Sequence, residues 1–491
     1  MSIMETTTNS KQRLIKILNS LILPLLCIFA VSSFPALFMY FQNADESYFS
    51  EILKPLFIFV SLGLIFFLIF LIVSKNTFKA AAITSLFMIV ILNYALLEKV
   101  VRFIIPSLRY WHMVLISIFI FAHIVWFICK KIPIDIINTV TRVICMVFCG
   151  LILFNLFMAA PTIVKKISIE KDMKKQNQIE QKTNENLDLP NIYFIILDEY
   201  SSIDFMKKYY DYDNTAFAQY LEGLGFNISY TSHNESIQTT TVTTNLVNFD
   251  YVVHDGTSSS EKKALRTNNK LFKYLTEKGY TIKGIGSSEP YGLENAALDT
   301  SNSNSTTITG ETISDLLFRN TVIGPFYTVS RIEDVRIILS AFSYLHDTNN
   351  FSNSGDFTIC HLISPHVPFY FDRHGNVYDN PSIDWTNKKY YLEQYIFITN
   401  KVIETVDSIT KHNPDSIIII QSDHGARANT DPELFMKLFA LEDITNIFNA
   451  VYYKGEKLDI EGLSGVNTIR LLLNKAFGEN FIMLEVPSNN K

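Results

Sequence analysis

The chain has 491 residues, which is too long for one compact core and predicts two or more units. Hydrophobic residues make up 48% of it, including 38 Phe, and this share is typical of chains with membrane segments. The formal net charge is -6, so no nucleic-acid partner is expected, because proteins that bind nucleic acid carry positive charge for the phosphates.

The first third of the chain holds five apolar runs, each near the roughly 20 residues that a helix needs to cross a bilayer. The run "LFIFVSLGLIFFLIFLIV" has no polar face, whereas helices buried in a soluble core are usually amphipathic. A cleaved signal peptide is not expected, because further runs follow the first. The predicted spans are Leu14–Tyr40, Ile52–Val73, Ala80–Leu97, Trp111–Cys129 and Val143–Val164.

The Lys and Arg residues of the short loops favour, by a small margin, a cytoplasmic N-terminus. An odd number of spans then places everything after Val164 outside the cytoplasm. The sequence predicts a five-helix, all-α transmembrane domain at 1–164, a polar linker at 165–189 and an extracytoplasmic domain at 190–491. The Lys-, Asn- and Ile-rich composition, together with a bacterial-type architecture of several spans before an external domain, indicates a multi-pass protein of a bacterial cytoplasmic membrane.

After Pro190 the pattern changes to short apolar runs that alternate with helical patterns. The runs "NIYFIIL", "TIKGIGS", "FTICHLI", "SIIIIQS" and "IFNAVYY" have the length of strands, and several lack any polar alternation. Between them, "NNKLFKYLTEKGY", "YYLEQYIFITNKVIETVDSIT" and "GVNTIRLLLNKAF" show apolar residues at helical spacing. This alternation predicts an α/β domain with a largely parallel central sheet.

Acids and imidazoles follow three of these predicted strands. Asp198 and Glu199 follow the first, His366 follows "FTICHLI", and Asp423 and His424 follow "SIIIIQS". In open α/β sheets ligands bind at the carboxyl ends of strands, and oxygen ligands mixed with His suit Zn²⁺, Mn²⁺ or Mg²⁺. Taken singly, an Asp after a strand is more often a helix cap or turn residue. Together, the acids favour a cation site, because unpaired buried charges are costly.

A Thr-rich stretch, "IQTTTVTTNL", supplies candidates for a nucleophile. At a helix N-terminus beside a metal ion, a hydroxyl is acidified and lies where anions are favoured. The ordinary alternative is a β-branched strand or loop without a chemical role. The candidates are Thr239, Thr240, Thr241, Thr243 and Thr244.

The stretch from Pro190 to Phe481 resembles the alkaline phosphatase/sulfatase superfamily. The branch it resembles is the membrane-anchored bacterial one, with lipoteichoic acid synthase and the phosphoethanolamine transferases. The resemblance rests on "NIYFIILDEYS", "HLISPHVPFYFDRHG", "IIIIQSDHG", and "FNAVYYKG" with "GVNTIRLLLNKAFG". A five-span anchor before an external sulfatase-like domain is similar to lipoteichoic acid synthase.

The resemblance implies a role for each candidate residue. The segment "NFDY" sets a register that places the nucleophile at Thr239, and a slip to Thr240 or Thr241 stays open because expected serines are replaced. The implied metal ligands are Asp198, Glu199, Thr239, Asp423 and His424. The implied substrate-binding residues are His361, His366 and Arg427, with His366 also catalytic.

The implied function is a membrane-bound, metal-dependent transferase of a phospho-headgroup, of the phosphoglycerol or phosphoethanolamine type. It would use a divalent ion (Mn²⁺, Zn²⁺ or Mg²⁺) and a phospho-threonine intermediate, with a membrane phospholipid as donor and an envelope glycan or lipid as acceptor. The C/S-x-P-x-R motif of true sulfatases does not occur. Two alternatives stay open: a metal-dependent phosphodiesterase, phosphatase or sulfatase-like hydrolase, and an inactive sulfatase-like envelope scaffold.

Overall fold

The computed structural model describes residues 2–45, 47–176, 189–297, 313–327, 332–351, 355–382, 384–427 and 442–487. The chain divides into two compact units. The helical unit comprises Met1–Ile167 and Glu311–Val329, and the α/β unit comprises Ser168–Gly310 and Ser330–Lys491.

The boundaries at 164 and 189 stay predictions. Part of the predicted linker continues a helix that ends at Gln176, and residues 177–188 lie outside the described residues. The return of Glu311–Val329 to the helical unit is a finding that the sequence analysis did not anticipate.

Helices and strands are numbered along the chain. The α-helices are α1 Ser2–Gln42, α2 Phe49–Ser74, α3 Thr77–Leu92, α4 Tyr94–Ile104, α5 Tyr110–Lys130, α6 Ile134–Gln176, α7 Ile203–Tyr210, α8 Thr215–Gly223, α9 Thr239–Asn248, α10 Ser259–Thr267, α11 Lys270–Glu277, α12 Ile313–Arg319, α13 Ile332–His346, α14 Lys388–His412 and α15 Gly465–Phe477. The strands are β1 Ile192–Leu197, β2 Phe226–Ser229, β3 Thr281–Gly286, β4 Asp356–Leu362, β5 Phe369–Phe371, β6 Val377–Ser382, β7 Ile417–Ser422 and β8 Asn449–Tyr453.

In the helical unit, four of the described helices are long and apolar enough to cross a membrane, or five if α3 and α4 form one span. The sequence analysis predicted a single third span, Ala80–Leu97, but the structure bends it by 68° between α3 and α4. Asn93 lies at the bend, and its Nδ2 donates to the carbonyl of Ile89 at 2.9 Å. This bond satisfies a carbonyl at the end of α3, where the backbone of Asn93 leaves the helical conformation.

Small residues allow close helix contact in this unit. A Cβ on Gly63 of α2 would overlap the hydroxyl of Ser32 on α1, so the two helices approach where Gly63 has no side chain. Small residues at such contacts are characteristic of membrane helices, whose association depends on van der Waals packing.

The α/β unit is built on a six-stranded sheet with the order β2-β8-β7-β1-β4-β3. The pairs β7–β1, β1–β4 and β4–β3 are parallel, whereas β8 runs antiparallel to both of its neighbours. The predicted fold class, apolar helices followed by an α/β domain with a largely parallel central sheet, is confirmed.

Helices cover both faces of this sheet, which is why its central strands read as continuous apolar runs. On β1, Tyr193 and Ile195 pack in the core on one face, and Phe194 and Ile196 pack in the core on the other. The second core includes Val242 of α9, so the Thr-rich segment forms a helix on this face.

Candidate metal centre

The turn after β1 holds a residue in an unusual backbone conformation. Glu199 has a φ of 63°, in the left-handed region that non-glycine residues rarely adopt. Its N–H donates to Asp423 Oδ1 at 2.9 Å, and its carbonyl accepts from the Tyr391 hydroxyl at 2.8 Å. Such conformations cost roughly 1–3 kcal/mol and persist where their surroundings hold them. The turn therefore fixes the β1 edge against the β7 edge.

Three ligand atoms converge at these two strand ends. Asp198, Asp423 and His424 each offer one such atom, and these atoms lie within 4.8 Å of one another. The three residues are at most 4% exposed. Asp198 Oδ1 and Asp423 Oδ2 have no hydrogen-bond partner among the described residues. Two buried carboxylate oxygens without a donor fit a divalent cation, which supplies the missing positive charge.

The pKa values of the two aspartates move in opposite directions. Burial and the neighbouring Asp423 raise the pKa of Asp198 to about 8. Burial also acts to raise the pKa of Asp423, but His424 and the Glu199 N–H outweigh it and leave that pKa lowered. Without a cation one carboxylate holds a proton and the other is ionised, and a cation would favour ionisation of both.

His424 presents its Nε2 toward the cluster. Its Nδ1 lies 2.9 Å from the carbonyl of Gly425, which assigns the proton to Nδ1, so the Nε2 lone pair is an acceptor and receives a hydrogen bond from the Arg427 guanidinium. A cation bound at Nε2 would displace this donor. Nε2 lies 3.3 Å from Asp423 Oδ2 and 2.8 Å from Arg427 Nη2. Burial lowers the pKa of His424, so the imidazole is neutral, the form that binds metal ions.

Among the first threonines of α9, Thr239 lies next to this cluster. Its Oγ1 is 3.4 Å from His424 Nε2, at the first residue of the helix. Thr240 is exposed, and the Thr241 hydroxyl donates to Asp255 Oδ1 at 2.9 Å. The geometry therefore favours the register with Thr239 as the nucleophile.

His366 and Arg427 both lie beside Glu199. His366 Nε2 is 4.0 Å from Glu199 Oε2, and the side chain is 30% exposed. Burial lowers the pKa of His366, but the carboxylates of Asp198 and Glu199 outweigh burial and leave the pKa raised. The backbone N–H of Arg427 donates to Glu199 Oε1 at 2.6 Å, and its Nη2 donates to the carbonyl of Ile237 at 3.3 Å.

His361 is buried on β4, on the same face of the sheet as α9. Alternate residues of β4 share one face of the sheet, so His361 lies on the same face as Phe357 and Ile359. These two residues pack in the core that contains α9 residues. Its Nδ1 lies 3.0 Å from the hydroxyl of Tyr291, and burial lowers its pKa to about 4. The imidazole of His361 is therefore neutral, and its buried Nε2 has no hydrogen-bond partner among the described residues.

Some residues that position the site carry no sequence signal. Asn234 Nδ2 donates to the carbonyl of Asp423 at 2.9 Å, and Asn234 Oδ1 accepts from Gly465 N at 3.0 Å. The hydroxyl of Ser201 accepts from Ala426 N at 2.7 Å. These polar bridges join segments that are distant in sequence, so no local motif marks them.

No protein-family model matches the sequence, and no curated protein matches it. Solved structures do match. The integral membrane lipooligosaccharide phosphoethanolamine transferase A (EptA) of Neisseria meningitidis matches 92% of this chain and 95% of its own, at 14% identity and a TM-score of 0.38. The lipoteichoic acid synthase LtaP of Listeria monocytogenes matches 64% and 79%, at 13% identity and a TM-score of 0.39.

A zinc complex of the periplasmic domain of EcEptC from Escherichia coli covers 60% of this chain and 84% of its own, at 12% identity and a TM-score of 0.39. The structures that match thus include both groups named by the sequence resemblance.

Proposed function

We propose that this protein is a membrane-bound, metal-dependent transferase that moves a phospho-headgroup from a membrane phospholipid to an envelope glycan or lipid. The observation that carries the proposal is the position of Thr239. Its hydroxyl opens a helix, 3.4 Å from His424 Nε2 and beside the carboxylates of Asp198 and Asp423. A hydroxyl in such a place is an activated nucleophile for phosphorus.

The residues that would hold the cation are Asp198, Asp423 and His424, with Glu199 and Thr239 as further ligands. When bound, a Mn²⁺, Zn²⁺ or Mg²⁺ ion would acidify the Thr239 hydroxyl, so that its proton leaves to solvent, and would offset the charge of the phosphate. The N–H groups of the first turn of α9 also favour an anion at this position.

In the first half-reaction, Thr239 Oγ1 attacks the phosphorus of a phosphodiester. The Oγ1–P bond forms, and the bond from phosphorus to the diacylglycerol oxygen breaks. His366 in its protonated form gives its proton to that oxygen. The position of His366 supports this role, since its side chain is 30% exposed and its Nε2 lies 4.0 Å from Glu199 Oε2, beside the metal ligands. Such proton transfer contributes about 10²–10⁴-fold to a rate.

In the second half-reaction, a hydroxyl of the acceptor attacks the phospho-threonine. His366, now neutral, takes the proton of that hydroxyl, and the bond between phosphorus and Thr239 Oγ1 breaks. Arg427 is proposed to bind a phosphate oxygen, since its side chain is 25% exposed and its Nε lies 3.7 Å from Glu199 Oε1 without a hydrogen-bond partner among the described residues. Water in place of the acceptor would make the same site a hydrolase.

The site is proposed to face the outside of a bacterial cytoplasmic membrane. The apolar helices provide a multi-pass anchor, and a cytoplasmic N-terminus with five spans would put the α/β unit outside. In that arrangement, a lipid donor and an envelope acceptor are both available.

The test uses detergent-purified full-length protein, a phospholipid with a labelled headgroup, and assays with and without a glycan or lipid acceptor. Transfer that needs a divalent ion, together with a labelled phosphate on the Thr239 peptide by mass spectrometry, is expected. Thr239→Ala should remove both, whereas Thr240→Ala, its exposed neighbour, should keep both. Full activity in Thr239→Ala would refute the proposal, and label appearing only in a water-soluble headgroup would make the protein a hydrolase.

A further inference from the structure

The segment Glu311–Val329 lies in the second half of the chain but packs within the helical unit. Its backbone forms hydrogen bonds with the backbone at the bend between α3 and α4. Val322 N–H donates to the carbonyl of Ile91 at 2.8 Å, and the N–H of Ala95 donates to the carbonyl of Asn320 at 3.1 Å. These bonds satisfy groups that the bend leaves without a helical partner.

The side chains of the segment are buried among membrane helices. Leu317 and Phe318 are 3% and 6% exposed. The ring of Phe318 makes an edge contact with Phe59 of α2, with centroids 5.8 Å apart. The segment is therefore an integral part of the helical unit and not a loop resting on it.

Beside this segment lies a cavity of about 310 Å³, bounded by α1, α3, α6 and the segment itself. Of its twelve lining residues, ten are apolar and two, Asn93 and Asn320, carry amides. The apolar lining residues include Val31, Met39, Met88 and Leu317. An apolar cavity of this size does not favour water, which needs several polar partners.

The dimensions of the cavity fit part of a lipid. Along α1 it runs from Val31 to Met39, which is roughly 12 Å at a rise of about 1.5 Å per residue. One leaflet of a bilayer is about 15 Å of hydrocarbon, half of a core of about 30 Å. With the N-terminus inside, both α1 and α3 run outward, so Met39 and Asn93 lie toward the outer boundary and Val31 lies deeper.

We propose that this cavity binds one acyl chain of a glycerophospholipid of the outer leaflet. The apolar walls take the hydrocarbon, and the amides of Asn93 and Asn320 lie near the ester region, where polar groups of a lipid begin. In a membrane this unit is surrounded by lipid hydrocarbon. An acyl chain in the cavity would make van der Waals contacts with walls that otherwise have no partner atoms. That the bound lipid is the headgroup donor rests on the proposed function.

The test uses full-length protein in nanodiscs of phosphatidylethanolamine and phosphatidylglycerol, with a trace of phosphatidylethanolamine that carries a photoreactive diazirine in one chain. Irradiation should label peptides of α1, α3 and residues 313–327. Leu317→Trp and, from the helix side, Ile89→Trp should each fill the cavity and lower this labelling at least about fivefold. Ile323→Trp is the matched control, because Ile323 lies on the same segment but is 52% exposed.

Equal labelling in both cavity variants and the control, or labelling spread evenly over the lipid-exposed helices, would overturn the proposal. Thermal unfolding of each variant identifies protein that fails to fold, and two independent cavity variants keep the test decisive. The labelling is repeated in Thr239→Ala protein, which is expected to bind lipid without turning it over. Its result is therefore independent of whether the proposed transfer is correct.

A kinetic measurement then asks whether the bound chain belongs to the donor. Leu317→Trp should raise the KM for the phospholipid several-fold and leave the rate with a chainless glycerophospho-headgroup unchanged. An unchanged KM for the lipid, with lowered labelling, would show a chain-binding site that the donor does not use, and would overturn the link to the donor.

Discussion

The helical unit and the edge of the α/β sheet use buried polar residues in opposite ways. In the helical unit the fully buried polar residues of α1 and α3 are hydroxyls, such as Ser32, Ser33 and Ser85. At the sheet edge they include the ionisable Asp198, Asp423 and His424, and two carboxylate oxygens lack a donor among the described residues. Small polar groups permit close packing, whereas unpaired charges cost free energy unless something binds them. Substitutions should therefore change stability in the first region and chemistry in the second.

The largest effect is expected for Asp423→Asn, which keeps the shape of the side chain and removes its charge. Loss of one buried anionic ligand should weaken metal binding at least about 100-fold and lower transfer about 10³-fold, or about 4 kcal/mol in barrier. Metal content by mass spectrometry and headgroup transfer measure the two losses. Asp407→Asn, at a partly exposed acid that accepts from Tyr220, is the control. Normal metal content in Asp423→Asn would break the comparison.

Glu235 tests whether a buried acid without a cation costs stability. It is 6% exposed, its Oε1 accepts from Asn245 at 2.7 Å, and burial raises its pKa to about 7 from 4.5. Because the folded state then holds its proton more tightly, stability falls as the pH rises from about 4.5 to about 7, by about 3 kcal/mol in total.

Glu235→Gln should remove this pH dependence. The variant should gain up to about 3 kcal/mol over the parent protein at pH 8 and little at pH 4.5, as read from paired thermal or denaturant unfolding curves. An equal difference between the two proteins at both pH values would contradict the explanation.

His366→Gln should lower transfer about 100-fold and leave metal content unchanged, because the proposed role of His366 is to transfer a proton. His374→Gln, at an exposed histidine of the next loop, should have no such effect. Loss of the metal in His366→Gln would assign this histidine to the metal centre instead.

The smallest effect is expected in the helical unit. Gly63→Val should separate α1 from α2 and cost about 1–3 kcal/mol, through the clash with Ser32. Hydrogen exchange of peptides from α1 and α2 should accelerate, while the metal affinity of the α/β unit stays the same. Gly150→Val, where nothing lies within reach of a new Cβ, is the matched control. A change in metal affinity in Gly63→Val would contradict the expectation that substitutions in the helical unit change stability only.

The sequence predicted five of the six strands of the central sheet, β1, β3, β4, β7 and β8, because a strand buried on both faces has a local apolar pattern, and it missed the short edge strand β2. The short run of four Ile residues before Gln421 is typical of a strand buried on both faces, and the residues after parallel strands share one edge. The apolar helices were likewise marked by composition. The bend at Asn93 was missed, because hydropathy averages over a single polar residue.

Other features depend on distant residues and could not be predicted. The helix α12 has seven residues, "ISDLLFR", and its apolar face is too short to show a membrane location. The bond of Tyr291 to His361 and the bridge made by Asn234 each join segments far apart in the chain. The sequence could not distinguish Thr239 from its neighbouring threonines, because the contact of each hydroxyl depends on its position on the helix.

The left-handed backbone at Glu199 has a consequence for attempts to raise the thermal stability of this protein. Glycine adopts that conformation without penalty, so a Glu199→Gly change would relax the backbone of the turn, while it removes the carboxylate that accepts the Arg427 N–H. Under the proposed function, selection for heat resistance alone would favour the relaxed turn at the expense of transfer. A screen that scores turnover after heating would retain the acid, and positions at which the two screens disagree would map the residues kept for function at the expense of stability.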